Sequence, residues 1–120
     1  TEVEEQGAHV MKLITQTIRN AESINALLPG SLSLNVVNTA NDPTVFDLSG
    51  STLRITEGIQ PPLALTNTRI AASGLAFQNL SRPATPGIIR IQFTLQQVNP
   101  EGKYEYNYQK TFYASANVRQ

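Results

Sequence analysis

The hydrophobic periodicity of this chain changes once, at Pro29, and this change limits which folds the chain can adopt. Before Pro29, apolar residues recur at spacings of three and four, the pattern of one face of an α-helix. After Pro29, apolar and polar residues alternate to the end of the chain, the pattern of half-buried β-strands. The sequence therefore predicts one N-terminal helix followed by strands. The apolar helix face consists of Val10, Leu13, Ile14, Ile18, Ala21 and Ile24.

We predict that this helix runs from Glu2 to about Leu28, with the clearest pattern over residues 8–27. Acidic side chains in the first turn favour the positive end of the helix dipole, and Pro29-Gly30 would end the helix. Gly7 is the exception to the pattern, because glycine inside a helix costs about 1 kcal/mol relative to alanine.

The alternating region, residues 31–120, predicts about five to seven antiparallel strands. Phe46 to Thr56 is predicted to be a hairpin around the glycine turn at Gly50. In the strand from Ile70 to Leu80, the apolar positions change phase at Ser73-Gly74, which indicates a β-bulge. Proline and small polar residues predict loops at Asn38 to Pro43, Gln60 to Pro62 and Leu80 to Gly87.

The strongest strand pattern lies near the C-terminus. Ile89 to Leu95 alternates without a break, and Asn99 to Gly102 has the composition of a type I turn. A returning strand then alternates from Tyr104 to Val118. These two strands are predicted to form a long antiparallel unit at the centre of the sheet.

Together the elements predict a single α+β domain of 120 residues, with one long N-terminal amphipathic helix packed on a twisted antiparallel β-sheet. Residues 1–28 would be the helix and residues 31–120 the sheet region. The predicted helix–sheet core consists of the apolar helix face together with Phe77, Ile91 and Phe93.

The composition excludes several classes of function. Nine basic residues balance nine acidic ones, which argues against binding to nucleic acid or to an anionic lipid surface. No cysteine is present, so disulfides, thiol nucleophiles and thiolate metal sites are excluded, and one histidine cannot form a multi-histidine metal site. Uncharged polar residues make up about a third of the chain, a surface that suits extracellular proteins.

The balanced total hides a division of charge along the chain. Residues 1–60 hold seven acidic and three basic side chains, a net charge of −4, and residues 61–120 hold two and six, a net charge of +4. The division is either chance or a sign of complementary ends that meet in an assembly. In the second case, acidic residues at the helix start and between Asp42 and Glu57 would lie apart from Arg82, Arg90, Lys103 and Lys110.

No residue pattern predicts a catalytic, cofactor or metal site. His9 and Glu5 have helical spacing but no nucleophile near them in sequence, and consecutive acids at the helix start point in different directions. The polar residues of the loop from Asn41 to Asp47 either stabilise a turn or bind a cation. Three tyrosines on one strand face are a candidate binding face for sugar or peptide, or else part of the core stripe with Phe112. They are Tyr104, Tyr106 and Tyr108.

Three stretches of the chain resemble the soluble head domains of type IV pilin-like proteins, particularly minor pilins and type II secretion pseudopilins. They are Leu32 to Glu57, which contains the glycine-turn hairpin Val45 to Ile55 with Thr-Leu-Arg; Leu65 to Phe77, with Leu-Thr and Leu-x-Phe; and Lys110 to Arg119, a closing strand that ends in arginine. With the opening helix, the resemblance covers nearly the whole chain.

The resemblance implies a non-enzymatic structural subunit of a type IV pilus or type II secretion pseudopilus. In that family, an apolar helical segment of about 20 residues anchors the precursor in the cytoplasmic membrane and drives assembly with other pilin-like subunits. Here it would lie upstream of Thr1, continuous with the predicted helix. The implied location is the cell surface, an extracellular filament or the periplasm.

Two classes of function stay open on the sequence: a filament subunit and an extracellular binding module for sugar or peptide recognition and adhesion. A subunit is expected to have a helix whose N-terminal turns project from the globule, whereas a free-standing binding domain is not. The isolated chain is expected to be a monomer without enzymatic activity.

Overall fold

The computed structural model describes residues 1–80, 87–98 and 108–118. Within them, the chain forms an N-terminal helix and then only strands and one short 3₁₀ helix. The elements are α1 (Glu2–Asn20), β1 (Ser23–Leu28), β2 (Ser31–Asn35), the 3₁₀ helix (Thr39–Asn41), β3 (Thr44–Ser49), β4 (Thr52–Glu57), β5 (Leu63–Ala64), β6 (Ile70–Asn79), β7 (Ile88–Gln97) and β8 (Gln109–Asn117).

The helix begins with a capping box. The Thr1 hydroxyl accepts a hydrogen bond from the Glu4 amide at 3.2 Å, and the Glu4 carboxylate accepts one from the Thr1 amino group at 3.3 Å. These bonds satisfy backbone donors that the first turn would otherwise leave free. The helix is already packed in this turn, since Val3 is completely buried. The first turns of the described helix therefore do not project from the globule, which is the arrangement expected of a free-standing binding domain and not the one expected of a filament subunit.

The predicted end of the helix is also wrong. The helix stops at Asn20, Ala21 is extended, and residues predicted to be its last two turns form β1, which pairs with β2 across Pro29-Gly30. The predicted apolar helix face continued from Ile18 to Ala21 and Ile24 at spacings of three, and a β-bulge in β1 extends this spacing to Leu27. Ile24 lies opposite Leu34 and Leu27 opposite Leu32, because the register shifts between Ile24 and Ala26. A bulge adds one residue, so two residues three apart fall on one face, as they would in a helix.

The strands form two antiparallel sheets where the sequence predicted one. The five-stranded sheet has the order β1-β2-β3-β4-β5, and the three-stranded sheet has the order β6-β7-β8. β6 does not pair with β5 but meets the turns of two hairpins. The Ala72 amide donates to the Ser51 carbonyl at 2.8 Å, and the Phe77 amide donates to the Pro29 carbonyl at 3.0 Å. One end of the five-stranded sheet thus lies against the free edge of β6.

Three local predictions are confirmed. β3 and β4 form the predicted hairpin, with Phe46 opposite Ile55. β6 has the predicted bulge, because its register with β7 shifts between Ser73 and Ala76 and Gly74 has a φ of +64°. β7 and β8 form the predicted antiparallel pair over Ile88–Gln97 and Gln109–Asn117. The predicted place of this pair at the centre of the sheet is wrong, because β8 is an edge strand of the three-stranded sheet. The turn at Asn99 to Gly102 and the loop residues 81–86 lie outside the described residues.

One hydrophobic core joins α1 and both sheets. Of the predicted helix–sheet core residues, seven are buried and two, Leu13 and Ile24, are half-buried against the core. The buried seven are Val10, Ile14, Ile18, Ala21, Phe77, Ile91 and Phe93. The core also includes residues of the five-stranded sheet that the helix–sheet prediction did not name, among them Leu32, Leu34, Phe46 and Leu53.

The helix lies so close to β8 that its residue at the point of contact, Gly7, has no room for a side chain. The Phe112 ring occupies the space where a Cβ atom on Gly7 would lie, and it stacks on Phe93 with ring centroids 5.4 Å apart. α1 therefore packs mainly on β8 and β7. Glycine is unfavourable inside a helix, but the fold requires it at position 7 because only glycine leaves room for the Phe112 ring.

Within the described residues, no helix is both long enough and apolar enough to cross a membrane.

Candidate functional site

Only one of the three tyrosines predicted as a binding face lies in the described part of the chain. Tyr108 stands just before β8 and is 41% exposed, and its carbonyl accepts a hydrogen bond from the Gln97 amide at 2.8 Å. In β8 the even-numbered residues Phe112, Ala114 and Ala116 turn towards the core. Tyr108 is also even-numbered, so its place in the alternation is that of the core-facing residues. Tyr104 and Tyr106 lie outside the described residues.

A different tyrosine lies on the outer face of the three-stranded sheet. Tyr113, 59% exposed, is opposite Gln92, and Arg90 is opposite Gln78 on the other neighbouring strand. The Arg90 guanidinium carbon is 5.7 Å from the centroid of the Tyr113 ring, within cation–π range. We call Ala76, Gln78, Arg90, Gln92 and Tyr113 the outer-face cluster.

The outer-face cluster contains a shallow depression of about 120 Å³, lined by Ala76, Gln78, Arg90 and Gln92. Alanine opposite Gln92 leaves this space open, because its side chain ends at Cβ. Neither glutamine amide has a hydrogen-bond partner among the described residues, and Arg90 has no acidic partner there. The cluster therefore presents donors, acceptors and one positive charge to the solvent.

The predicted binding face did not include Tyr113, because the prediction considered only the alternating apolar positions of the last strand. The signal was present in the polar positions of both strands. β7 has polar residues at even positions, and the antiparallel pairing places each of these opposite an odd residue of β8. The exposed tyrosine on an odd position therefore shares a face with Arg90 and Gln92.

The acidic start of the helix is occupied by contacts within the fold. Arg69 binds the Glu2 carboxylate through Nε at 3.1 Å and Nη2 at 2.7 Å. Asn67 and Gln6 each donate a further side-chain hydrogen bond to it, at 2.9 and 3.1 Å. These bonds, first those from Arg69 and then those from Asn67, lower the pKa of Glu2 from its ordinary value of 4.5 to about 2. This cluster joins the helix to the segment before β6.

The Glu2 carboxylate is expected to make folding stability depend on pH at acid pH. Because the pKa is depressed in the fold, the contribution is complete above about pH 4.5 and is lost as the pH falls towards about 2. The urea concentration at the midpoint of unfolding should fall as the pH is lowered through this range, and it should fall less for Glu2→Gln than for the parent. Glu5→Gln, an exposed change on the same helix, should fall as the parent does. An equal fall in Glu2→Gln and the parent would contradict the assignment.

The predicted separation of acidic and basic ends is wrong where the structure tests it. Lys110 Nζ lies 3.8 Å from Glu4 Oε2, beside the helix start, and Arg69 pairs with Glu2. The fold interleaves the two halves of the chain because β8 packs under the first turns of α1. Arg82 and Lys103 lie outside the described residues.

The carboxylates of the loop from Asn41 to Asp47 both have protein partners. Asp42 Oδ1 accepts a hydrogen bond from the Val36 amide at 3.1 Å, and Asp47 forms a two-bond ion pair with Arg54, at 3.1 and 3.0 Å. Among the residues that the structure describes, no group of three or more histidine, cysteine, aspartate or glutamate side chains could hold a metal ion. His9 is exposed on the helix.

Comparisons of the chain with protein-family models, with curated proteins and with solved structures find no match.

Proposed function

We propose that this chain is the head domain of a non-enzymatic structural subunit of a type IV pilin-like filament, either a pilus or a type II secretion pseudopilus. The observation that carries the proposal is the exposed face of α1; the first turn of the helix is packed, which is not the projecting end expected of a subunit. The helix buries one face completely against antiparallel strands, and its opposite face is exposed along its whole length. The exposed residues are Glu5, Ala8, His9, Lys12, Gln16 and Arg19.

Such a helix suits a subunit that assembles through helix–helix contacts. The buried face holds the helix rigidly to the head, so a neighbour that packs against the exposed face would position the whole domain. In this proposal, the assembling apolar segment lies upstream of Thr1 and continues the axis of α1. The Thr1–Glu4 capping bonds would then be replaced by hydrogen bonds within the longer helix.

The coding sequence upstream of the Thr1 codon is the first test. We expect an open reading frame that encodes a short basic leader followed by about 20 apolar residues. A hydrophilic upstream segment, or a start codon directly before Thr1, would contradict the proposal.

The second test uses single cysteines in the full-length protein, expressed in its natural host. The described chain has no cysteine of its own, so each introduced thiol reports one position. Ala8→Cys and Gln16→Cys, on the exposed helix face, are expected to form disulfide-linked dimers in assembled filaments. The control is Ala40→Cys, exposed in the loop between β2 and β3. Cross-links from the control alone, or none from either helix position, would contradict a helix-mediated assembly.

A further inference from the structure

We infer that the outer-face cluster of the three-stranded sheet binds an acidic saccharide, meaning a sugar that carries a carboxylate. This inference goes beyond the proposed structural role and rests on different residues. A filament subunit with this site would also recognise a ligand, and the site would serve equally if the domain acted alone.

The outer-face cluster is held rigidly by the sheet. The cluster lies on three hydrogen-bonded strands, and β7, which holds Arg90 and Gln92, is the central one. Directly behind it, Ile89, Ile91 and Phe93 are buried in the core. Side chains on such a scaffold keep their spacing without a ligand, which lowers the entropic cost of binding.

The side chains of the outer-face cluster match the groups of an acidic saccharide. An exposed tyrosine ring offers a flat apolar surface on which the C–H face of a sugar ring can stack. A guanidinium has a planar fork of donors that fits a carboxylate with two parallel hydrogen bonds. Each glutamine amide both donates and accepts, as a sugar hydroxyl does. The outer-face cluster has one tyrosine, one arginine and two glutamines beside a depression of about 120 Å³.

The Arg90 guanidinium is available to a ligand in the described part of the fold. The described ion pairs engage Arg54, Arg69, Lys110 and the Thr1 amino group, whereas within the described residues Arg90 makes its charge contact with the Tyr113 ring. Stacking on the ring holds the guanidinium near the depression. A carboxylate could therefore bind Arg90 without displacing an acidic side chain in the described part of the fold.

Two other ligand classes fit the cluster less well. A nucleic acid requires several cations along its backbone, and Arg90 is the one cation of the cluster. A peptide that extends the sheet binds to a strand edge, whereas these side chains stand on the face. A single carboxylate on a hydroxyl-rich ring uses every group that is present.

The test measures binding of a galacturonic acid oligosaccharide to the 120-residue chain by calorimetry, with a galactose oligosaccharide of equal length as the neutral probe. We expect the acidic probe to bind at least about tenfold more tightly than the neutral one. Arg90→Gln and Tyr113→Ala should each weaken binding by about tenfold, and Tyr113→Phe should retain it because the ring remains.

Two matched variants test the position of the site. Lys110→Gln removes a cation that lies over Phe112, 5.3 Å from its centroid, and Tyr108→Ala removes an exposed tyrosine of the opposite strand parity. Neither should change the affinity. Equal binding of both probes, no binding, or unchanged binding by Arg90→Gln would overturn the inference. Because Arg90 and Tyr113 are exposed, Arg90→Gln should still fold and, in the full-length protein, should still assemble. A failure of the binding site is thus distinguishable from a failure of the proposed filament role.

Discussion

The Ile18→Asp variant is expected to lose the cooperative fold of the whole domain. Ile18 is completely buried in the last turn of α1, in the core that joins the helix to both sheets. A buried carboxylate without a partner costs several kcal/mol, and the apolar contacts of isoleucine are lost at the same time. A domain of this size has a total stability of about 5 to 15 kcal/mol, so one such change can remove most of it.

Thermal and urea unfolding monitored by circular dichroism would measure this effect, and Ile14→Asp should behave in the same way, since Ile14 is also buried. The matched control is Gln16→Asp, which introduces the same side chain on the exposed face of the same helix. It should unfold cooperatively, with a midpoint close to that of the parent. A cooperative transition of Ile18→Asp near the parent midpoint would show that the helix face is not packed as described.

Hydrophobic periodicity correctly predicted the elements whose pattern depends only on residues close together in the sequence. The alternation of β7, the β3–β4 hairpin and the phase change in β6 are all local patterns, and the structure has all three. The end of the helix could not be predicted in this way. The predicted apolar helix face continued from Ile18 to Ala21 and Ile24 at spacings of three, but the helix ends at Asn20 and Ile24 lies in β1, which only the pairing with β2 decides.

The number of sheets and the charge pairs depend on contacts between distant parts of the chain. Alternation shows which face of a strand is buried but not which strand lies beside it. β6 turns away from β5 and bonds to the Pro29 and Ser51 carbonyls, and nothing in its own sequence specifies this. Glu2 and Arg69 likewise meet only because the segment before β6 lies beside the helix start.

The residues of the outer-face cluster could not be predicted from the sequence. A strand face with tyrosine was the predicted binding surface, and its described member, Tyr108, has the parity of the core-facing residues. The outer-face cluster is formed by three strands, so its membership depends on two registers. Those registers follow from turn lengths and core packing, which no single strand pattern contains.

The Gly7→Ala variant is expected to be less stable than the parent, although alanine favours a helix more than glycine does. Intrinsic propensity alone would stabilise the variant by about 1 kcal/mol. The new methyl group, however, would overlap the Phe112 ring, which itself stacks on Phe93 in the core. Overpacking of this kind typically costs about 1 to 3 kcal/mol or more, because the ring must shift and the helix must move away from β8. The sign of the measured change therefore decides whether packing or propensity dominates at this position.

A double-mutant cycle separates the two effects. Phe112→Ala alone should lower the free energy of unfolding by about 3 kcal/mol or less. The loss is smaller than for a fully buried ring because the Phe112 ring is only half-buried. In that background the collision is gone, so Gly7→Ala should become stabilising by about 1 kcal/mol, as helix propensity predicts. Gly30→Ala is the matched control, because a Cβ atom there meets nothing within 4 Å and the stability should hardly change. The same destabilisation by Gly7→Ala with and without the Phe112 ring would show that the ring does not set the requirement for glycine. A reversal of sign would show that contact with β8 fixes where the helix lies on the sheet.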